Sequence, residues 1–482
     1  MEHDPRYIAL LILTENSQTR RPLDTILDQF SPQLATLSKL DRSLANAIVY
    51  GTLRWQAYLD WVIQPFSDRK LETLKTEIIY ILRIAIFQIA FMDKIPVSAA
   101  VNSAVNLAKK ISHQGVAGFV NAVLRKASIN FSSVSLPDSK SNPDSYISVT
   151  QSMPLWLVKK WIAQYGFDKT LKLCDTINTI PPITIRTNTL KIDRESLVSL
   201  YSSDVDNIAK TNYSLHGINF TKPSTPIHES EPFKKGYFQV QDEAAQLVTL
   251  MLNPLSGEKI LDACAGLGGK TGHIAQLMEN KGLVVACDID SEKLASLEKE
   301  MNRLGIDIVK TLCKDILKTE IADVITNLPT FSDNNDSLSE KQPLPLFDRV
   351  LVDAPCSGMG VLRRNPDAKW KRDKKDIARL AIRQEKMLLS VADLVKNGGI
   401  LLYAVCSCEK RENEDVVDNF LKQRPDFKKH SFVGNQALSY YLSSQLQFSN
   451  SAMVPDNGYF KTYPEHIEMD GFFAAIMKRN VS

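Results

Sequence analysis

At 482 residues, the chain is long enough for roughly two to four domains. Its 44% hydrophobic and 23% charged residues are the balance of a globular protein, which excludes a disordered or wholly membrane-embedded chain. A net charge of only +3 excludes a uniformly basic nucleic-acid binder, so any such surface must be a local patch.

The N-terminus, "MEHDPRYIALLILTEN", is acidic ahead of a short apolar run, so no signal peptide is expected. Residues 5 to about 130 predict helices throughout. Apolar positions recur at three- and four-residue spacing in 6–16, 43–66, 72–91 and 98–111, with Pro22, Pro65 and Pro96 between them. The longest apolar run, "IIYILRIAIFQIAFM", is interrupted by Arg83 and Gln88 and is too short to span a bilayer; it predicts a buried helix. A cytoplasmic protein is expected. The Ser-, Pro- and Asp-rich stretch 132–147 predicts a linker, giving a helical domain over 1–131.

Residues 148–240 mix patterns and predict a small α+β domain: a helix in 154–166, an alternating strand in "PPITIRTNTL", a helix over 193–203, and a strand turning into a helix in "GYFQVQDEAAQLVTLML". From 241 to 482 strands and helices alternate. "EKILDACA", "GLVVACDID", "IVKTLCKD", "FDRVLVDAP", "GILLYAVCS" and "GFFAAIMKR" are the strands of an open, mostly parallel sheet covered on both faces. Two polar stretches interrupt it, at 330–345, read as a disordered insertion, and at 435–453.

In such a sheet ligands bind at the carboxyl ends of the strands, and the chemistry-bearing residues fall there. "DACAGLGGKTGH" is neither a Walker A loop nor a regular GxGxxG fingerprint. Its glycines, Gly266, Gly268 and Gly269, still let the backbone approach a ligand just before a helix. Asp288 ends the second strand, where an acid can accept both ribose hydroxyls. Asp315 ends the third, where an adenine amino group could be met. A tight turn with solvent-facing acids is the competing reading. The three features together favour an adenosine ligand without a pyrophosphate, of which S-adenosylmethionine is one.

The seven cysteines, Cys174, Cys264, Cys287, Cys313, Cys356, Cys406 and Cys408, are odd in number and point to a reducing compartment. Cys356 follows the fourth strand with Asp353, and Cys406 ends the next, so neighbouring parallel strands would bring both thiols and Asp353 to one edge. A soft thiolate adding to C6 of a cytosine makes C5 nucleophilic towards an electrophilic methyl group. Asp353 could read the pyrimidine edge. A lone cysteine is more often a small buried hydrophobe; two at adjacent strand ends beside a methyl-donor loop reverse that preference. Cys408 is expected to be structural. A metal site is not expected, because C-x-C has no second pair and His273 and His466 have no fitting partners. The stretch "LRRNPDAKWKRDKK" gathers Arg363, Arg364, Lys369, Lys371 and Arg372 around Trp370 and is expected to grip unpaired RNA. Lys109, Lys110, Arg125 and Lys126 form a weaker cluster.

"DACAGLGGK", "DAPCSG" and "CSCEKRENED" resemble the signature motifs of bacterial 16S ribosomal RNA cytosine-C5 methyltransferases, and "LDRSLANAIVYGTLRW" and "GFVNAVLRK" resemble a NusB-like RNA-binding domain. The resemblance covers nearly the whole chain. It implies a NusB-like helical bundle, a small α+β domain and a Rossmann-like class I S-adenosylmethionine-dependent methyltransferase domain. It also implies that Cys264, Ala265, Gly266, Leu267, Gly268, Gly269 and Lys270 line the methyl-donor site, with Asp288 at the ribose, Asp315 by the adenine, and Asp353 near donor and base. Cys406 is implied as nucleophile and Cys356 as the group assisting release, although DNA enzymes use the equivalent of Cys356 to attack. The implied substrate is 16S rRNA, free or in an early small-subunit assembly intermediate, with cytosine 967 as its target. Separately, a monomer is expected. Leu267 stands where the family has proline, and Val405 where it has threonine; neither removes a reacting group, so activity is expected to survive. A non-catalytic RNA-binding or antitermination factor, and the same chemistry on tRNA or DNA, are the alternatives.

Overall fold

The structure, a computed structural model, describes residues 3–318, 346–430, 459–464 and 469–481. The polar stretches at 330–345 and 435–453, and His466, lie outside them. The chain divides into two compact units, Met1–Ile180 with Leu362–Asp373, and Pro181–Val361 with Lys374–Ser482.

The first unit is all helix. Asp4 caps Pro5–Gln18 by accepting the Arg6 N–H, and Ser38 caps Lys39–Arg54 by accepting that of Asp41. With Thr76–Phe91, Val97–Ile111 and Gln114–Asn130 they enclose a core of fully buried side chains such as Ile12, Ile48, Ile81 and Leu124. The two polar interruptions of the long apolar run are satisfied within the bundle. Arg83 makes a two-pronged pair with Asp60 at 2.7 Å on each prong, and Gln88 accepts from Arg6 Nε at 2.7 Å. No helix among the described residues is long and apolar enough to cross a membrane. The expected linker is partly helical: Pro143, at the first helical position after Asn142, opens a helix to Thr150. This helix, Leu155–Tyr165 and Phe167–Ile177 all pack within the first compact unit, which ends at Ile180.

The second unit begins with a small antiparallel sheet of β1 (Ile183–Thr187), β2 (Asp206–Lys210), β3 (Gly217–Thr221) and β4 (Phe238–Val240), in the order β2-β3-β1-β4. The helix Arg194–Tyr201 closes its core over Ile185, Ile218, Phe220 and Phe238.

The large sheet comprises β5 (Lys259–Asp262), β6 (Leu283–Asp288), β7 (Val309–Cys313), β8 (Phe347–Asp353), β9 (Val395–Val405), β10 (Phe427–Lys429), β11 (Tyr459–Lys461) and β12 (Phe473–Arg479). Its order is β10-β12-β9-β8-β5-β6-β7, with β11 also paired to β12. Strands β5 to β9 are parallel, as the alternation predicts. The last strand is antiparallel to β9 and carries β10 and β11, so the sheet is mixed. Separate apolar clusters cover its two faces. "DLVKNG" reads as the end of a helix, but the helix Lys374–Val391 stops earlier and Val395 already pairs with Phe347. The chain runs β5-β6-β7 in one direction and β8-β9 in the other, so the switch in direction, where ligands bind in such sheets, lies beside β5.

Candidate active site

The loop after β5 is shaped by its own hydrogen bonds. Asp262, buried at the strand end, accepts from Thr271 Oγ1 at 2.7 Å and so ties the strand to the helix Gly269–Leu277. Burial pushes its carboxyl pKa up to about 7. Gly266 and Gly268 take positive φ values of +55° and +84°. The Ala265 N–H donates to the Cys287 carbonyl at 2.9 Å, and the Gly266 N–H donates to Asp288 Oδ2 at 2.9 Å. Asp290 N–H donates to the other Asp288 oxygen at 3.0 Å, which fixes that carboxylate at the loop's edge. Asp315, two residues past β7, accepts from the Leu317 N–H at 3.0 Å. Burial pushes the Cys264 thiol well above its ordinary range, so it stays protonated. A Cβ at Gly266 would meet no protein atom within 4 Å. The loop therefore leaves an open cradle beside Asp288, which fits an adenosine group; nearby Leu267, 63% exposed, faces solvent.

The thiols meet where parallel pairing of β8 and β9 sets Asp353 opposite Ala404. Cys356 and Cys406 follow on the two loops, and their sulfurs lie 2.8 Å apart with both cysteines free. Lys270 Nζ reaches Asp353 Oδ2 at 2.5 Å and lies 5.2 Å from the centre of the Phe472 ring. Burial works against the Lys270 charge, but Asp353, with Cys406 and Asp262 behind it, holds its pKa above the usual lysine value. The Cys356 thiol is pushed well up by its hydrogen bond to Cys406, then by burial and by the charges of Cys406 and Glu412. Cys408 is buried. Val405 is fully buried in an apolar cluster, and strand alternation sends it to the face opposite Cys406.

Two sets of residues were not singled out by sequence. Glu412 is fully buried beneath both thiol loops. Arg186 on β1 is also buried, and donates to the Gly269 carbonyl at 2.8 Å, Gln239 Oε1 at 2.7 Å, Gln276 Oε1 at 3.2 Å, and Gln241. Burial lowers its pKa to about 9, so it is still a cation at neutral pH. The signal for the latter is Gln239 and Gln241, polar residues two apart in a strand-like run, which share one face.

The basic stretch after "APCSG" corrects an expectation. Lys369 is 1% exposed, and its ammonium donates to the carbonyls of Arg54 and Ser152 at 2.7 Å each. Trp370 packs against the helical core and donates from Nε1 to the Leu53 carbonyl at 2.7 Å. Lys371 bonds Asn16 Oδ1 at 2.6 Å and pairs with Asp367 at 3.2 Å, while Arg363 is buried with its carbonyl accepting from Arg54. Lys369 is internal to the helical unit and Trp370 half-buried against it, because Ala368–Lys371 forms a short helix there. Arg364 and Arg372 remain partly exposed. Among the described residues no group of acids, cysteines and histidines is placed to hold a metal ion; the His273 ring lies 3.4 Å from that of His216.

A parallel sheet that switches direction beside a glycine loop, with strand-end acids and paired thiols, defines a Rossmann-like methyltransferase. The 16S rRNA methyltransferase RsmB/F family matches residues 249–478, the NusB family 3–128, and the ferredoxin-like domain of RsmF/B-like methyltransferases 153–228. The chain is 35% identical to the probable ribosomal RNA small subunit methyltransferase B of Bacillus subtilis, over 92% of either chain. It is 32% identical to that of Synechocystis, over 98% of this chain and 99% of the relative. The solved structure of PH0851 superposes with a TM-score of 0.78 at 26% identity, covering 98% of this chain and 99% of that one. The chain belongs to the RsmB/F family of 16S rRNA methyltransferases, built as a NusB helical domain, a small ferredoxin-like domain and a Rossmann-like catalytic domain with a mixed sheet.

Proposed function

We propose that this protein methylates C5 of a cytosine in 16S rRNA, cytosine 967 being the target the family resemblance implies, through a covalent bond between Cys406 and C6 of the base. The observation that carries the proposal is the pair of thiols at adjacent parallel strand ends, 2.8 Å apart, beside the Lys270–Asp353 pair. S-adenosylmethionine, when bound, supplies the electrophilic methyl group. Gly266 to Lys270 and Asp288 would hold it, with Asp315 by the adenine ring.

In the reaction, Cys406 sulfur adds to C6 and the ring becomes an enamine with electron density at C5. Once C5 carries its methyl group, the C5 proton passes to water, the C5–C6 double bond reforms and the Cys406 sulfur leaves as thiolate, its charge met by the hydrogen bond from the Cys356 thiol. Cys356 keeps its proton because of the hydrogen bond to Cys406, burial and nearby negative charge, which suits a group that assists release and not one that attacks. Lys270 holds Asp353 in place, where its carboxylate can meet the cytosine amino group. Arg364 and Arg372 are the members of the basic stretch proposed to meet RNA phosphates.

The test is Cys356→Ala incubated with S-adenosylmethionine and unmodified 16S RNA on a denaturing gel. We expect a protein–RNA adduct that disappears when Cys406 is also changed to Ala. Absence of an adduct while the wild type still methylates would reverse the roles of the thiols; Cys406→Ala with unchanged methylation would sink the proposal.

A further inference from the structure

We propose that Glu412 is a positioning residue, whose buried carboxylate ties the loop carrying Cys356 to the loop carrying Cys406 and so fixes the two thiols against each other. Its Oε1 accepts from the Ser357 N–H at 2.8 Å and from Gln384 Nε2 at 3.1 Å. Its Oε2 accepts from Ser407 Oγ at 2.6 Å and from Ser357 Oγ. Ser357 directly follows Cys356, and Ser407 directly follows Cys406. One carboxylate therefore holds the residue after each thiol, and the two serine hydroxyls sit 3.3 Å apart. The surrounding bonds close the cage. Gln384 also donates to the Pro355 carbonyl at 3.0 Å, Tyr403 Oη donates to the Glu412 carbonyl at 2.6 Å, and Asn413 Nδ2 donates to the Ser407 carbonyl at 3.1 Å.

These four partners of the carboxylate are neutral. A buried carboxylate met by neutral groups is expensive to desolvate, and an apolar side chain of similar volume would fill the space with less cost. What the carboxylate offers instead is several charge-assisted bonds of fixed direction, reaching two loops at once. Its charge also acts on Cys356, favouring the protonated form of that thiol. Glu412 thus fixes the separation of the sulfurs, and its charge adds to the influences that hold the Cys356 thiol up. The proposal rests on the two-thiol reading of the site, but not on which thiol attacks.

The test uses full-length Glu412→Gln, which keeps the shape and removes the charge. We expect S-adenosylmethionine affinity within about twofold of wild type and kcat lower by about tenfold or more with KM little changed, since small misplacements at a reacting centre cost rate more than binding. In a Cys406→Ala background, the pH profile of Cys356 alkylation by iodoacetamide should move down by about half a unit or more when Glu412→Gln is added. A structural filler would not move that profile. A kcat within about twofold of wild type, or an unmoved alkylation profile, overturns the proposal. Should Glu412→Gln fail to fold, Ser407→Ala removes a single donor; a fall in kcat at unchanged cofactor affinity is expected, and full activity overturns the proposal. If wild type methylates no cytosine, the reading of the site fails, while the alkylation profile still reports on Glu412 separately.

Discussion

Gly266 and Gly268 share the left-handed backbone region, yet their neighbours give them different roles. At Gly268 an added Cβ would fall 2.6 Å from Leu297 Cγ, so the loop packs against the helix Ser291–Leu304 only because nothing is there. At Gly266 the same atom would enter open space beside Asp288. Gly266→Ala should therefore cost about 1–2 kcal/mol of backbone strain and leave the fold intact. S-adenosylmethionine affinity should fall by about tenfold or more, because the methyl group occupies the ligand's place. Calorimetric titration with thermal unfolding checks both. Unchanged affinity would move the cofactor elsewhere. Val405 shows the same logic in reverse: it is fully buried in an apolar cluster, where a hydroxyl would need a partner.

Among the elements, β5 to β9 bring the site together, and β1 supports it from behind. Arg186 projects from β1 into the packing against the helix that opens at Gly269, and holds that residue's carbonyl. Arg186→Met would leave three glutamine oxygens and one carbonyl without their shared donor. We expect a loss of about 3 kcal/mol or more in unfolding free energy and a fall in cofactor affinity of about tenfold, seen by denaturant titration and by calorimetry. Stability lost with full cofactor affinity would make Arg186 purely structural. The small sheet also explains what sequence patterning missed. β2 reads "DNIAK" and is largely exposed, so it has no apolar alternation to reveal it. Its pairing with β3 is what makes it a strand.

For the whole molecule, the division into units departs from chain order. Residues 362–373 leave the catalytic unit in sequence and belong to the helical one. Lys369 lies in this segment, and burial together with Arg54 lowers its pKa to about 7. Lys369→Met leaves two buried carbonyls without a donor and should cost about 2–4 kcal/mol. The salt dependence of RNA binding should not change, whereas loss of a phosphate contact would lower the slope by about 0.7 to 0.9. A reduced slope with unchanged stability would restore Lys369 to the RNA surface.

The sequence by itself determined the class of each unit, because period and alternation survive in one dimension: helical spacing through the first 130 residues, and strand–helix alternation after 255. It also determined that the candidate residues gather at the strand ends, since a parallel sheet puts the loops after its strands on one edge whatever their order. Tertiary structure alone decided which strands are neighbours, and hence that Cys356 and Cys406 meet. It decided that the last strand runs antiparallel, and that Lys369, within a run of cations reading as an RNA grip, turns inward. Charge in a sequence carries no burial label: Lys369, Arg186 and Glu412 become internal only because carbonyls, amides and hydroxyls distant in the chain fold around them.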